Sequence, residues 1–198
     1  MRTIVTSALL IAVLTVAAAQ EKDYQPSCTM CPGTYIPSTE IDAYVKRGFA
    51  NDLTDQQIRQ LSVGKSNVGI AVVTRKKLVS ANVVAEHDLV SEVYHVISGS
   101  GTLVLGPDIV GRERRPATMQ TVIEFNGPGH GGTEVRGGTV HELKPGDVVV
   151  IPAGTGHWFT RIDDHISYLM VRFDPEEVTP VRSEAQSRAY LGARAPAP

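Results

Sequence analysis

The sequence predicts an all-β domain with a short helical prefix, and two observations carry that prediction. After residue 62 the chain is a series of short runs rich in β-branched and aromatic residues: VGIAVVT, EVYHVIS, GTLVLG, QTVIEF, GTVHELK, DVVVIP, HWFTRI and ISYLMVRF. Gly, Pro, Asp or Asn separates them, the residues that take tight turns most readily. No stretch beyond residue 62 repeats its apolar residues at the 3.6-residue period of a helix. Short strands at regular spacing with turn punctuation build an antiparallel sandwich or barrel.

Taken in order, the first nineteen residues read as a secretory signal peptide. Arg2 is a short positive start, Ile4 to Val16 is an apolar run, and Ala17, Ala18 and Ala19 are the small residues of a cleavage site. The run is short for a bilayer-spanning helix. Cleavage is expected after Ala19, leaving a secreted or periplasmic protein with no membrane association. Residues 20–65 form an N-terminal arm. Its CTMCPG segment holds Cys28 and Cys31, the only two cysteines. An oxidising compartment, a Pro-rich context and the lack of a preceding strand favour a local disulfide or a free pair over a redox centre. A zinc site would want a second pair. Two short helices are expected in this arm. One runs from a Ser38 cap through about Arg47, with Ile41, Tyr44 and Val45 on one face and Gly48 as the stop. The other is TDQQIRQL, 54–61, where Thr54 and Gln57 have the spacing of a capping box. The strand-rich domain spans 66–173, interrupted by loops at 106–119 and 126–138. The tail, 174–198, turns acidic and then Ala-, Arg- and Pro-rich, and is expected to be flexible or draped on the surface.

Composition excludes several classes of partner. A chain of 198 residues, 42% hydrophobic, is enough for one compact core. With 19 basic and 21 acidic residues there is no electrostatic footprint for nucleic acid or for an anionic membrane. The one basic cluster, GRERRP, is interrupted by Glu113 and reads as a solvated loop. There is no DNA-binding helical domain beside the strands.

The most specific stretch is GDVVVIPAGTGHW, which places Gly146, Pro152, Gly154 and His157 at the spacing G-x5-P-x-G-x2-H. Gly146 and Asp147 make a turn, Val148 to Ile151 a buried strand, and the Pro-Ala-Gly corner returns the chain so that His157 opens the next strand. Upstream, HDLVSEVYHVISGSG carries His87, Glu92 and Gly99, with four and six residues between them. The two segments resemble the second and first motifs of the cupin superfamily, the first usually written H-x-H-x3–4-E-x6-G. Two positions depart from the pattern. The first histidine is replaced by Ala85, and the terminal Asn of the second motif by Arg161.

The resemblance covers roughly residues 66–173. It implies a cupin-type double-stranded β-helix, a jelly-roll barrel, and a homodimer. It also implies that His87, Glu92 and His157 project into the barrel to bind a divalent metal. Two histidines and a carboxylate with open positions suit iron, manganese, nickel, copper or zinc, so the donor set does not choose among them. The alternative is a barrel that has lost its metal, with both histidines hydrogen-bonded in a polar cavity.

Strand alternation sorts the remaining candidates. Tyr94 shares the inward face with Glu92 and is read either as an acid–base group or as a barrel-lining aromatic, whereas His95 points outward. Phe159 and Arg161 alternate inward after His157, and Arg161 either holds a substrate carboxylate or pairs with an acid at the rim. His130 lies in the glycine-rich loop, His141 on a strand face and His165 in a turn. Three functions stay open. One is a metal-dependent enzyme on a small organic substrate, dioxygenase-, isomerase- or lyase-like. The others are a non-catalytic barrel binding a sugar or another small ligand, and a scaffold.

Overall fold

The structure is a computed structural model and describes residues 24–78 and 83–193. The expected signal peptide and its cleavage point lie outside them. Helix α1 covers Ser38–Asn51, and thirteen strands follow. They are β1 (Asp55–Ser62), β2 (Asn67–Lys76), β3 (Val84–His87), β4 (Ser91–Gly99), β5 (Gly101–Gly106), β6 (Ile109–Val110), β7 (Glu113–Arg114), β8 (Gly129–Gly132), β9 (Glu134–Val135), β10 (Thr139–Leu143), β11 (Val148–Ile151), β12 (Gly156–Arg161) and β13 (His165–Asp174). Helix α2, Glu184–Gly192, ends the described chain.

Two antiparallel sheets face each other without closing edge to edge. The first has the order β1-β2-β13-β4-β11, the second β10-β5-β12-β3-β8-β7, and β6 pairs only with β9. This is the antiparallel sandwich that the strand pattern predicts. The core between the sheets is built from inward residues of both, among them Ala71, Val73, Tyr94, Leu103, Phe159, Ile166, Tyr168 and Met170. A second apolar layer lies on the outer face of the first sheet. There Tyr44, Ile58 and Val72 are fully buried, packed by Ile41 and Val45 of α1 and by Tyr190 and Leu191 of α2. Strand β2 is therefore buried on both faces at Val72 and Val73.

The motif glycines act through backbone geometry. Gly99, Gly146 and Gly154 have φ of 73°, 92° and 81°, a region that penalises any Cβ. At Gly99 a Cβ would also strike the carbonyl oxygen of His165.

Several sequence expectations are corrected. Residues 54–61 do not form a helix: Asp55–Ser62 is β1, the edge strand of the first sheet, so the sheet begins before residue 66. The polar side chains from Gln56 to Gln60 are buried and held by distant partners. Gln56 donates to the Tyr44 carbonyl, Gln60 to Thr179 Oγ1 at 2.6 Å, and Arg59 makes two bonds to the Glu40 carboxylate at 2.8 and 3.0 Å. Tertiary hydrogen bonds here outweigh local helix preference.

Helix α1 runs past Gly48 to Asn51 and is closed by Asp52 in the left-handed region, whose N–H donates to the Gly48 carbonyl. Ser38 does not cap it; the N-cap is Pro37, with no side-chain bond. Gly48 is needed for close packing, since a Cβ there would meet Thr74. Residues 120–125 are not a strand but lead into a single π-helical turn, Val122–Asn126. The glycine-rich loop contributes β8 and β9. Of the described part of the tail, Glu184–Gly192 is helix α2: Ser183 and Gln186 form its reciprocal capping box, and Tyr190 stacks on Tyr44 at 5.8 Å. Cys28 and Cys31 are joined as a disulfide.

Candidate functional site

Residues far apart in sequence meet between the sheets. Strand β3 ends at His87 in the second sheet, and the 88–90 turn crosses to β4 in the first, where Glu92 and Tyr94 face inward. Strand β12 lies beside β3 with His157 opposite Ala85, so the second histidine arrives from the same sheet as the first. From the first sheet, β2 places Ala71, Val73 and Arg75 on its inward face, and β13 places Tyr168, Met170 and Arg172 there. Arg172 is directly across from Glu92 in the β13–β4 register. Apart from Ala71, these side chains line a cavity of about 70 Å³.

The three predicted ligand residues present their donor atoms to a common point. His87 Nε2 is 3.3 Å from Glu92 Oε1, His157 Nε2 is 3.6 Å from Glu92 Oε2, and one donor atom from each lies within 4.8 Å of the others. All three residues are buried. The Ala85 methyl borders the same cavity, where a further imidazole would sit in the full motif.

Glu92 is the hub. Besides the two histidines, its carboxylate accepts from the Tyr94 hydroxyl at 2.8 Å and from Arg172 Nε at 3.2 Å. Burial alone would raise its pKa, but the facing His87, Arg172 and His157 outweigh burial and hold it well below the usual carboxylate range. Tyr94 is pushed the other way, well above the ordinary phenol value, by burial and by the adjacent Glu92 charge. It is therefore a protonated donor in the resting site and not a base. Burial brings His157 down to about 4, so it is neutral at pH 7.

Tautomers follow from the partners. His157 Nδ1 lies 3.2 Å from the Thr155 carbonyl, which can only accept, so Nδ1 carries the proton and Nε2 turns a lone pair toward Glu92. A lone pair facing a carboxylate oxygen with no proton between them is the arrangement a cation relieves, and a carbonyl behind the ring is the usual support of a ligating histidine. His87 is set differently. Arg115 Nη2 is 3.1 Å from its Nδ1 and also donates to the Glu86 carbonyl, and a guanidinium has no lone pair to give. His87 Nε2 thus holds a proton directed at Glu92, and accepting a cation there requires Arg115 to withdraw. The donor set fits a divalent metal with that one rearrangement.

Arg161 does not turn inward. The β12–β5 register shifts between Phe159 and Arg161, so the alternation that buries His157 and Phe159 breaks at a bulge. Arg161 lies on the outside, paired with Glu142 at 2.8 Å. Phe159 does line the core and lies under the Arg75 guanidinium at 5.2 Å. His95 is exposed, as alternation predicts. His130 stands apart from these donors on the other side of β3, with Nδ1 2.8 Å from Glu86 Oε2 and 3.2 Å from Asp88 Oδ1, and Arg112 and Arg114 balance the two carboxylates.

Sequence reasoning misses Arg75 and Arg172, among other residues of the site. Arg172 is 1% exposed and also reaches Gln57 Oε1 at 2.8 Å and the Asp55 carboxylate. The signal was available in the two-residue alternation of VVTRK and YLMVRF, which turns both arginines inward with Val73 and Met170.

Residues 129–196 match the sequence profile of the AraC-like ligand binding domain family. Curated proteins yield no sequence match. Among solved structures, a Bacillus halodurans protein aligns over 81% of this chain and 97% of its own, at 16% identity and a TM-score of 0.41. The DMSP lyase DddQ from Ruegeria pomeroyi aligns over 71% of this chain at 14% identity and a TM-score of 0.39, and this chain spans about half, 53%, of that one. An RmlC-like cupin family protein from Methanocaldococcus jannaschii, with a double-stranded β-helix fold, aligns over 62% of this chain and 85% of its own, at 13% identity and a TM-score of 0.36.

Proposed function

We propose that this cupin-fold chain is an exported protein that holds a divalent metal on His87, Glu92 and His157 and acts on a small organic substrate in the cavity beside it. The observation that carries the reading is the His157 Nε2 lone pair facing the Glu92 carboxylate at 3.6 Å inside a closed, buried set of three donors. A cation there supplies Lewis acidity for a substrate oxygen. The chain's own residues do the rest. Arg172 and Tyr94 fix the Glu92 carboxylate, Thr155 fixes the His157 ring, and the protonated Tyr94 offers an O–H beside the site. Tyr168 lines the adjoining wall with its ring stacked on Tyr94 at 4.3 Å.

Elemental analysis of tag-free protein is expected to find about one metal per chain, abolished in His157→Ala. Addition of Mn, Fe, Ni or Zn to stripped protein should raise its melting temperature, because a ligand of the folded state stabilises it. A stripped protein whose melting point none of these ions moves would overturn the metal reading. It would leave the second reading, a metal-free barrel that binds a small ligand, for which the Arg115–His87 contact speaks.

Export is supported by the N-terminal sequence and by the Cys28–Cys31 disulfide, a pairing suited to an oxidising compartment. N-terminal sequencing of protein recovered from outside the cytoplasm should begin at Gln20. Recovery of the intact Met1 start from the cytosol would reject it.

A further inference from the structure

Two guanidiniums line the cavity, and their surroundings differ. Arg172 is engaged on every side, by Glu92, Gln57 and Asp55. Arg75 makes a single hydrogen bond among the described residues, from Nε to the Tyr168 hydroxyl at 3.3 Å, and its guanidinium carbon lies over the Phe159 ring. Among the described residues no carboxylate pairs with it, and its two terminal nitrogens have no hydrogen-bond acceptor. Arg75 is half-buried at the cavity wall, and terminal nitrogens that lack a protein acceptor there are free to hydrogen-bond an anionic ligand. Strand β2 leaves Arg75 no alternative direction, since it follows Ala71 and Val73 on the inward face, both of which are buried.

The chemistry of that anion can be narrowed. A planar guanidinium with its terminal nitrogens free matches a carboxylate bidentately. The cavity, about 70 Å³, is small, because a pocket of about 150 Å³ is what a benzene needs. An acid of roughly two or three carbons is the size that fits. Glu92 and Asp55 already place negative charge in the same walls, so a dianion is repelled about twice as strongly as a monoanion. Tyr168 is also the link to the rest of the site. Its ring stacks on Tyr94 at 4.3 Å, and Tyr94 donates to Glu92.

We propose that Arg75 anchors the carboxylate of a small organic monoacid, which it holds through its terminal nitrogens with the acid's other end turned toward Glu92 and His157. The inference deepens the reading of this cavity as a ligand site, and it does not need the metal to be present.

The test is calorimetric titration of the mature full-length protein with acetate, glycolate and lactate, with acetamide as the neutral isostere and inorganic phosphate as the competing oxyanion. It is run once on metal-stripped protein in chelator and once on metal-supplemented protein. At least one of the three acids is expected to bind the stripped protein, acetamide to bind at least about tenfold more weakly than acetate, and Arg75→Met to lose about tenfold or more of the acid affinity. Arg75→Lys, which keeps the charge without the planar fork, should retain part of it. Acid binding by stripped wild-type protein in chelator, with no ion raising its melting temperature, would leave this reading standing without the metal one, so loss of the metal reading and loss of this one give different results. The proposal is overturned if folded Arg75→Met binds the acids as wild type does, if acetamide equals acetate, if phosphate binds in preference to every acid, or if no acid binds. Should Arg75→Met fail to fold, the acid–amide comparison on wild type and the Arg75→Lys affinity decide the matter.

Discussion

Arg172→Met is expected to lower the unfolding free energy by about 3–5 kcal/mol, the cost of stranding a buried charge partner. Arg172 is 1% exposed, its guanidinium serves both Glu92 and Asp55, and Glu92 is itself 2% exposed. Methionine fills much of the space but leaves the Glu92 carboxylate in the core with no permanent positive charge beside it. Urea denaturation of metal-stripped protein at pH 7 measures the loss. Neutralising the other partner at the same time should restore part of it: Arg172→Met with Glu92→Gln is expected to be more stable than Arg172→Met alone. Strictly additive losses, or an Arg172→Met loss under about 1 kcal/mol, would show that the pair is not coupled as the geometry requires.

The second large effect is on acid stability and comes from His157. Its folded-state pKa lies at about 4 against 6.5 for the free side chain, and burial is the main cause. Below pH 6.5 the unfolded chain takes up a proton that the folded chain refuses, so stability falls with falling pH, and the loss is complete once the pH reaches about 4. The size is about 3 kcal/mol, since each tenfold difference in proton affinity between the two states is worth roughly 1.4 kcal/mol. Glu92 acts in a lower window. Its folded pKa is depressed, so its contribution is present above about pH 4.3, the ordinary glutamate value, and is lost as the pH falls further. Urea midpoints of stripped protein between pH 7 and 4.5 should fall in the wild type, and the slope should flatten in His157→Leu. An identical slope in both proteins would mean that another group carries the acid sensitivity.

The fold was legible where burial follows the local pattern. From β2 onward most of the strands read as strands because turn residues punctuate them and their apolar residues alternate. The glycines of both motifs read as turns because only positive φ satisfies them. Legibility failed where distant partners decide. Gln56, Gln57, Arg59 and Gln60 look like the polar face of a helix, yet they are buried in a strand because Tyr44, Arg172, Glu40 and Thr179 satisfy their hydrogen bonds. Arg161 was misplaced by one bulge, which no two-residue alternation foresees. The donors His87, Glu92 and His157 could be collected from motif spacing. Arg115, which sets the His87 tautomer, could not, because it lies 28 residues away in a loop whose basic run reads as solvated.

The three donors come from different halves of the sandwich: His87 and His157 from the second sheet, Glu92 from the first. A ligand shared by them is therefore a rivet through two layers that no hydrogen-bonded strand closes edge to edge. Its occupancy would set how often the layers part, and with it the rate at which the folded protein opens.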